Sequence, residues 1–283
     1  MSEPLACFQV QQNLKQLVKK HSGEEAAVDV LLLGITGWSQ LDLLRNLRQP
    51  LANSLVQQLT ALVAKYLAGW PVQYLLKKAV FFGHDFYVDP AVLIPRFETE
   101  ELVEWILQDF GNCQNLRVAD IGTGSGAIGI SLKLAKPNWQ VLLTDISNEA
   151  LQVAQKNATA LRAAVKLLQG DLFRPLSGRY DLLVANPPYI AQSEKKLMDQ
   201  SVILHEPHQA LFASENGLYF YRQMAKQAAG FLKKDGCLFL EIGFNQGKAV
   251  TNIFLKNFPH VKVKVKKDIS GKDRMIRVSY MEE

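Results

Sequence analysis

Apolar positions change their spacing twice along these 283 residues, and the changes mark out three stretches. In the first, Leu55, Leu59, Leu62, Val63 and Tyr66 form an apolar stripe at helical spacing. The stripe stops at Gly69 and Pro71, both helix breakers. Further upstream, Ala26 to Leu33 is apolar, and Ser39 is placed to cap a short helix carrying Leu41, Leu43 and Leu44. Residues 1–75 are expected to form a small all-helical domain. Nothing in it carries chemistry, so its expected task is contact with a partner.

Between residues 76 and 97 the texture changes. Phe81, Phe82, Phe86, Tyr87 and Val88 surround Gly83-His84-Asp85, the pattern of two strands and a turn, so a β-hairpin linker is expected here. Arg96-Phe97-Glu98-Thr99-Glu100 then opens a helix with Leu102, Val103, Ile106 and Leu107 on one face. Its acidic first turn suits the positive end of the helix dipole. From Leu116 onward strand-like and helix-like stretches alternate. RVADIG is followed by a helix to Ala135, VLLTD by a helix from Asn148 to Leu161, and then come VKLLQGD and YDLLVAN. A helix around Tyr219 to Leu232 precedes CLFLEIG. This alternation predicts a parallel sheet with helices on both faces across residues 98–283. The last segments, VKVKVKKD and RMIRVSY, alternate with period two around Ser270-Gly271-Lys272-Asp273, and predict an antiparallel pair closing one edge.

Composition narrows the setting. Hydrophobic residues at 48% and charged residues at 21% describe an ordinary globular chain with material for a core. No apolar run reaches bilayer length, and the N-terminus shows neither a secretory nor a transit pattern, so no membrane is expected and the cytoplasm is the expected compartment. Cys7, Cys113 and Cys237 lie far apart with no metal or redox spacing. The net charge of +5 leans mildly toward a polyanionic partner such as RNA or a ribosome-associated protein, or simply aids solubility.

Two motifs carry the chemistry. Asp120-Ile121-Gly122-Thr123-Gly124-Ser125-Gly126 follows the first strand of the alternating region and opens a helix, with glycines that let the backbone turn and approach a ligand. Gly124 to Gly129 also spells G-x-G-x-x-G, and Asp145 ends the next strand, where a ribose-binding acid belongs. These residues point to an adenosine-containing cofactor without choosing between NAD and S-adenosylmethionine.

Asn186-Pro187-Pro188-Tyr189 makes the choice. It directly follows the strand Tyr180–Ala185, where open α/β sheets bind ligands. Two prolines fix the backbone and offer no N–H, leaving nearby carbonyls free as acceptors. An Asn186 side-chain oxygen and the Pro187 carbonyl are then expected to hold the two N–H groups of a flat NH2, aiming its lone pair at an electrophilic methyl. Tyr189 is expected to pack on the flat face. Such positioning is worth up to ~7–11 kcal/mol. No metal and no covalent nucleophile is required. The sequence therefore predicts an S-adenosylmethionine-dependent nitrogen methyltransferase that releases S-adenosylhomocysteine. The competing view of the motif is a rigid Asn-Pro turn.

The sequence resembles the HemK/PrmC family, the glutamine methyltransferases of class I peptide-chain release factors, over nearly its whole length. The resemblance rests on Gly69-x-Pro71-x-Gln73-Tyr74, Val92-Leu93-Ile94-Pro95-Arg96-Phe97-Glu98-Thr99-Glu100, the glycine loop, Asn186 to Tyr189, Glu206-Pro207 with Ala210-Leu211, and Asp273-Arg274. It implies a Rossmann-like class I methyltransferase domain with a mostly parallel seven-stranded sheet and an antiparallel edge hairpin, preceded by the helical domain. It also implies cofactor contacts at Gly122, Thr123, Gly124, Ser125, Gly126, Asp145, Asp171, Leu172 and Asn186. Substrate contacts at Asn186, Pro187, Pro188 and Tyr189 are implied, with Asn186, Pro187 and Tyr189 in the transfer step. The implied target is the glutamine of a Gly-Gly-Gln tripeptide, on a protein partner and without direct nucleic-acid contact; a monomer is expected. Two departures stand out: Phe97 where the family usually has proline, and Lys77 where glycine is common.

Other features weigh less. His205-Glu206-Pro207-His208 suggests a metal set, but its proline and missing third ligand favour a structural role. Lys262, Lys264, Lys266 and Lys267 are expected to form the solvated face of a strand. Glu241 is either a buried satisfied acid or part of the pocket. The competing functions are a DNA or RNA adenine methyltransferase, which must flip a base and read sequence, and a non-catalytic nucleotide-binding module.

Overall fold

The computed structural model describes residues 5–258 and 260–281. Their contacts form two compact units. One takes the described residues up to Lys78 together with Asp199–His205; the other takes Ala79–Met198 and the described residues from Glu206 onward. The hairpin of the 76–97 stretch therefore groups with the larger unit, and a seven-residue excursion at Asp199–His205 groups with the helical one.

The helical unit contains α1 (Cys7–Lys20), α2 (Ala26–Thr36), α3 (Gln40–Asn46), α4 (Asn53–Leu67) and α5 (Val72–Leu76). Leu59 and Val63 of the α4 stripe are buried with Val28, Leu31 and Leu32 of α2 and with Val10 and Val18 of α1. Ser39 caps α3 as its position predicts, accepting the Asp42 N–H at 3.1 Å. The Lys77 departure falls at the C-cap of α5, where φ is +53°, a backbone that favours glycine. Phe97 is the first residue of a helix, a position proline also suits because its N–H has no intrahelical partner.

The larger unit starts with an antiparallel hairpin, β1 (Ala79–Phe81) and β2 (His84–Phe86), turning at Phe82-Gly83. There follow α6 (Phe97–Phe110), β3 (Arg117–Ile121), α7 (Ala127–Ala135), β4 (Gln140–Asp145), α8 (Asn148–Ala160), β5 (Lys166–Gln169) and β6 (Tyr180–Ala185). The chain then forms α9 (Gln200–His205), which belongs to the helical unit, and returns with the short α10 (His208–Leu211) and α11 (Ser214–Gly217), followed by α12 (Tyr219–Gln227), β7 (Leu232–Glu241), α13 (Gly247–Asn257), β8 (Val261–Lys267) and β9 (Asp273–Tyr280). The seven-stranded sheet runs β5-β4-β3-β6-β7-β9-β8, parallel through β7 and antiparallel at β9 and β8. The helix expected up to Leu232 ends at Gln227, and β7 begins at Leu232 itself, earlier than its apolar run Cys237–Glu241 suggests. Lys233, Lys234 and Asp235 are exposed, and this polar stretch hides the strand's start from a hydrophobicity reading.

Alternation along the strands feeds two cores. Ala119, Leu183 and Leu238 face Tyr221 and Met224 of α12 and Phe254 of α13. Val118, Leu182 and Phe239 face Leu102 and Ile106 of α6, Ile128 of α7 and Ala158 of α8. Of the lysines of β8, Lys262, Lys264 and Lys267 are exposed and Lys266 is half-buried; the ammonium groups of Lys264 and Lys266 lie 5.7 and 5.4 Å from the centre of the Trp105 ring. Among the described residues no single helix is long and apolar enough to cross a membrane.

Candidate active site

Register, rather than any single motif, assembles the site. Ile121 of β3 pairs with Thr144 of β4 on one side and Ala185 of β6 on the other, and Ala185 pairs in turn with Leu240 of β7. The next residue on each of these strands is Gly122, Asp145, Asn186 and Glu241. Strand order reverses at β3, so the loops after β4 and β6 diverge and leave a crevice at the carboxyl ends. A cavity open to solvent occupies this place, and all of its lining comes from the α/β unit.

Gly122, Thr123, Gly124, Ser125, Asp145, Asp171, Leu172, Asn186, Pro187 and Pro188 all line that cavity. Gly126 does not, and its φ of +83° with Ile130 close behind makes it the hinge into α7. Gly122 and Gly124 have φ of +68° and +55°, and a Cβ on either would meet no atom within 4 Å. These two glycines thus face open space, a cradle a ligand can approach closely. Gly129, by contrast, is a packing glycine: a Cβ there would lie 2.2 Å from Leu143 Cδ2.

Asp145 ties the loop after β3 to the loop after β4. Its Oδ2 accepts the Gly124 N–H and its Oδ1 the Ser147 N–H, both at 2.9 Å. Burial pushes its carboxyl above the usual range, opposed by the N–H groups of Ser147, Gly124 and Ile146. Asp120, which the sequence pattern leaves without a role, organises the loop from below. Its Oδ2 accepts Thr123 Oγ1–H at 2.6 Å and Gly129 N–H at 2.9 Å. Burial pushes Asp120 up to about 6. An open glycine backbone, an acid at the end of β4 and apolar Ile146 and Leu172 around the same cavity suit the methionine end, ribose hydroxyls and adenine ring of S-adenosylmethionine.

The Asn186 loop is braced on several sides. Gln246 Nε2 donates to the Tyr189 carbonyl at 2.8 Å, and Ile190 N–H donates to the Leu211 carbonyl at 3.0 Å. Gly217 passes so close that a Cβ would lie 2.0 Å from the Tyr189 oxygen. Glu206, only 4% exposed, accepts the Ile94 N–H at 3.2 Å and pairs with Arg96, joining family markers 110 residues apart. Glu206 is thus a structural acid. Among the described residues no group of His, Cys, Asp and Glu is placed to hold a metal ion.

Tyr189 departs from its expected place. It is not among the cavity-lining residues; it packs against the core, and its hydroxyl donates to Glu241 Oε1 at 3.3 Å. Burial and the Glu241 charge together raise the Tyr189 phenol. A residue to which sequence reasoning gives no role enters instead. Thr99 of α6 lines the cavity, accepts from Asn186 Nδ2 at 3.3 Å and donates to Glu241 Oε2 at 2.6 Å. Glu241 is thereby a buried, satisfied acid. Thr99 and Glu241 stand 142 residues apart, and nothing local in the sequence announces the pair.

A seven-stranded, mostly parallel sheet with a glycine cradle after β3 and an acid after β4 defines a class I S-adenosylmethionine-dependent methyltransferase. Residues 98–220 match the Methyltransferase small domain family and residues 9–76 the PrmC N-terminal domain family. The Release factor glutamine methyltransferase of Enterococcus faecalis is 42% identical over 95% of this chain and 97% of its own. That of Bacillus subtilis is 41% identical over 89% and 90%. The chain belongs to the release factor glutamine methyltransferase family. A solved methyltransferase from Pyrococcus furiosus shares the fold at a TM-score of 0.53, with 18% identity over 77% of this chain and 98% of the other.

Proposed function

We propose that this enzyme methylates the side-chain amide nitrogen of a glutamine, the one in the Gly-Gly-Gln segment of a class I peptide-chain release factor. The observation that carries the reading is the shared level of Gly122, Asp145 and Asn186 at the ends of β3, β4 and β6, around one cavity. Gly122 to Ser125 and Asp145 would hold the cofactor, with Ile146, Asp171 and Leu172 beside the adenine. When bound, S-adenosylmethionine supplies an electrophilic methyl on a sulfonium and departs as S-adenosylhomocysteine.

The chain's own task is to present the acceptor. An amide nitrogen shares its lone pair with its carbonyl, so it needs two hydrogen-bond acceptors that pull on its N–H groups and fix its plane. Asn186 Oδ1 and the Pro187 carbonyl fill that role, and Pro188 keeps the backbone rigid and free of a competing donor. Tyr189 acts beneath the loop, through Glu241, rather than on the face of the substrate. The support for glutamine over other NH2 groups comes from the family. Two glycines before the target suit a narrow cavity, since they let an extended backbone enter. The helical unit, with Leu41 and Leu44 exposed on α3, would grip the body of the factor.

Purified protein incubated with radiolabelled cofactor tests this. Label is expected in intact release factor, and not in a variant whose Gly-Gly-Gln glutamine is alanine, nor in duplex DNA. Labelled DNA with silent release factor would overturn the reading in favour of an adenine methyltransferase.

A further inference from the structure

The Asn186 side chain is useful only one way round: its oxygen must meet the substrate and its NH2 must face elsewhere. A free asparagine has no such preference, since its two ends are nearly the same shape. The structure holds one end. Asn186 Nδ2 points at Thr99 Oγ1 across 3.3 Å, and Thr99 Oγ1 is itself 2.6 Å from Glu241 Oε2. A hydroxyl has one proton. The Glu241 carboxylate, as an acceptor, takes it, and Thr99 then offers Asn186 only lone pairs. The flipped amide would set Asn186 Oδ1 against those lone pairs, two acceptors with no hydrogen between them, and would be repelled. Only the orientation with Nδ2 toward Thr99 is satisfied.

We propose that Thr99 is a positioning residue for the transfer step: its hydroxyl, committed as donor to Glu241, fixes the Asn186 amide so that Oδ1 is the end offered to the cavity. This inference rests on the glutamine-methylation reading above. Burial raises the Glu241 carboxyl, and hydrogen bonds and a nearby cation oppose that rise and favour its accepting form. Thr99 and Tyr189 donate to its two oxygens, the Tyr221 hydroxyl donates to its backbone carbonyl at 2.9 Å, and the Arg274 charge opposes that of Glu98. Thr99 is 4% exposed and Glu241 2%, so water does not compete for these bonds. The arrangement also explains why a threonine sits in the first turn of a helix whose neighbouring positions are acidic: a carboxylate at 99 would face Glu241 with like charge.

The test compares Thr99→Val, which keeps the branched shape without the hydroxyl, with Thr99→Ser, which keeps the hydroxyl, on a Gly-Gly-Gln peptide. For Thr99→Val, kcat is expected to fall about 10–100-fold, the scale of a lost preorganised contact, with peptide KM and S-adenosylhomocysteine affinity by calorimetry unchanged. Thr99→Ser is expected to restore kcat. In the unliganded protein the Asn186 side-chain amide resonances should move in Thr99→Val and stay in Thr99→Ser. Added to Asn186→Ala, Thr99→Val should cost nothing further, because its effect passes through Asn186. An impaired Asn186→Ala beside a normal Thr99→Val would overturn this proposal alone, as would a loss that adds to that of Asn186→Ala. A normal Asn186→Ala would overturn the glutamine clamp itself, and this inference with it.

Discussion

The two units differ most in what they put out of reach of water. In the helical unit few polar groups are buried among the described residues: Tyr74, the His205 Nε2 and the Gln11 amide, which donates to Asp29 at 2.7 Å. The α/β unit buries Thr99, Asp120, Thr123, Asp145, Glu206, Glu241 and Asp268, among others. Burying a carboxylate is costly unless it is paired or hydrogen-bonded. Glu206 and Asp268 meet that cost with Arg96 and Arg274. Asp120, Asp145 and Glu241 are held by hydrogen bonds instead, and burial raises all three. These three stand at the carboxyl end of β3, β4 and β7. The lesson is that this enzyme concentrates its unfavourable electrostatics around the candidate site, while the core of the helical unit is mostly apolar.

If that division is right, substitutions at the carboxyl row should strike binding or turnover, and those in the helical unit should leave the chemistry alone. The largest effect is expected for Asn186→Ala. Turnover should fall by about 10²–10³, as for other lost transition-state contacts, while cofactor affinity by calorimetry changes little. Asp145→Ala should do the reverse in kind, weakening S-adenosylhomocysteine by roughly 1.5–3 kcal/mol, the range for charged hydrogen bonds; equal affinity would remove Asp145 from the site.

Asp120 offers a stability test within the same row. Its folded pKa of about 6 lies above the unfolded value near 3.8, so the folded state binds the proton more tightly. That contribution is fully present below the unfolded value and is lost as pH rises through about 6. Asp145 and Glu241 shift in the same direction, so the informative quantity is the difference between wild type and Asp120→Asn. The variant should lose part of the decline in unfolding free energy between the two values, on the order of 1–3 kcal/mol by linkage. Parallel pH profiles from denaturant titration would contradict it.

The helical unit supplies the contrast. Leu41→Ser with Leu44→Ser should leave methylation of a short Gly-Gly-Gln peptide unchanged and weaken labelling of the whole factor about tenfold, the scale of one apolar anchor. A loss on the peptide as well would mean that the chemistry does depend on that surface. The smallest effect is at Lys77, whose φ of +53° a glycine adopts without strain. Lys77→Gly should stabilise the protein by about 0.5–1 kcal/mol with turnover unchanged, read from the denaturant midpoint.

Legibility in the sequence follows the range of the interaction. Helix caps, the glycine loop and the Asn186 motif are local, and Ser39, Gly124 and Asn186 stand where their spacing puts them. The class of fold followed from the alternation of periods two and 3.6, and the edge pair from Lys262 to Lys267 and its partner β9. What the sequence hides is held together across the chain. Thr99 meets Glu241, and Arg96 meets Glu206, over separations of 142 and 110 residues. Tyr189 lies off the cavity for a related reason: the two prolines fix where the loop goes, but the phenol turns toward Glu241 on another strand. The start of β7 was lost because Lys233 and Lys234 are polar on a strand whose pairing with β6, not its hydrophobicity, defines it.

The central claim is that this site places a methyl on an amide nitrogen held by Asn186. The most direct measurement is tandem mass spectrometry of a Gly-Gly-Gln peptide after reaction with the purified enzyme and S-adenosylmethionine. The account predicts a single added methyl, located on the glutamine side-chain nitrogen and absent with Asn186→Ala. A methyl on any other atom, or one that persists in Asn186→Ala, would contradict it.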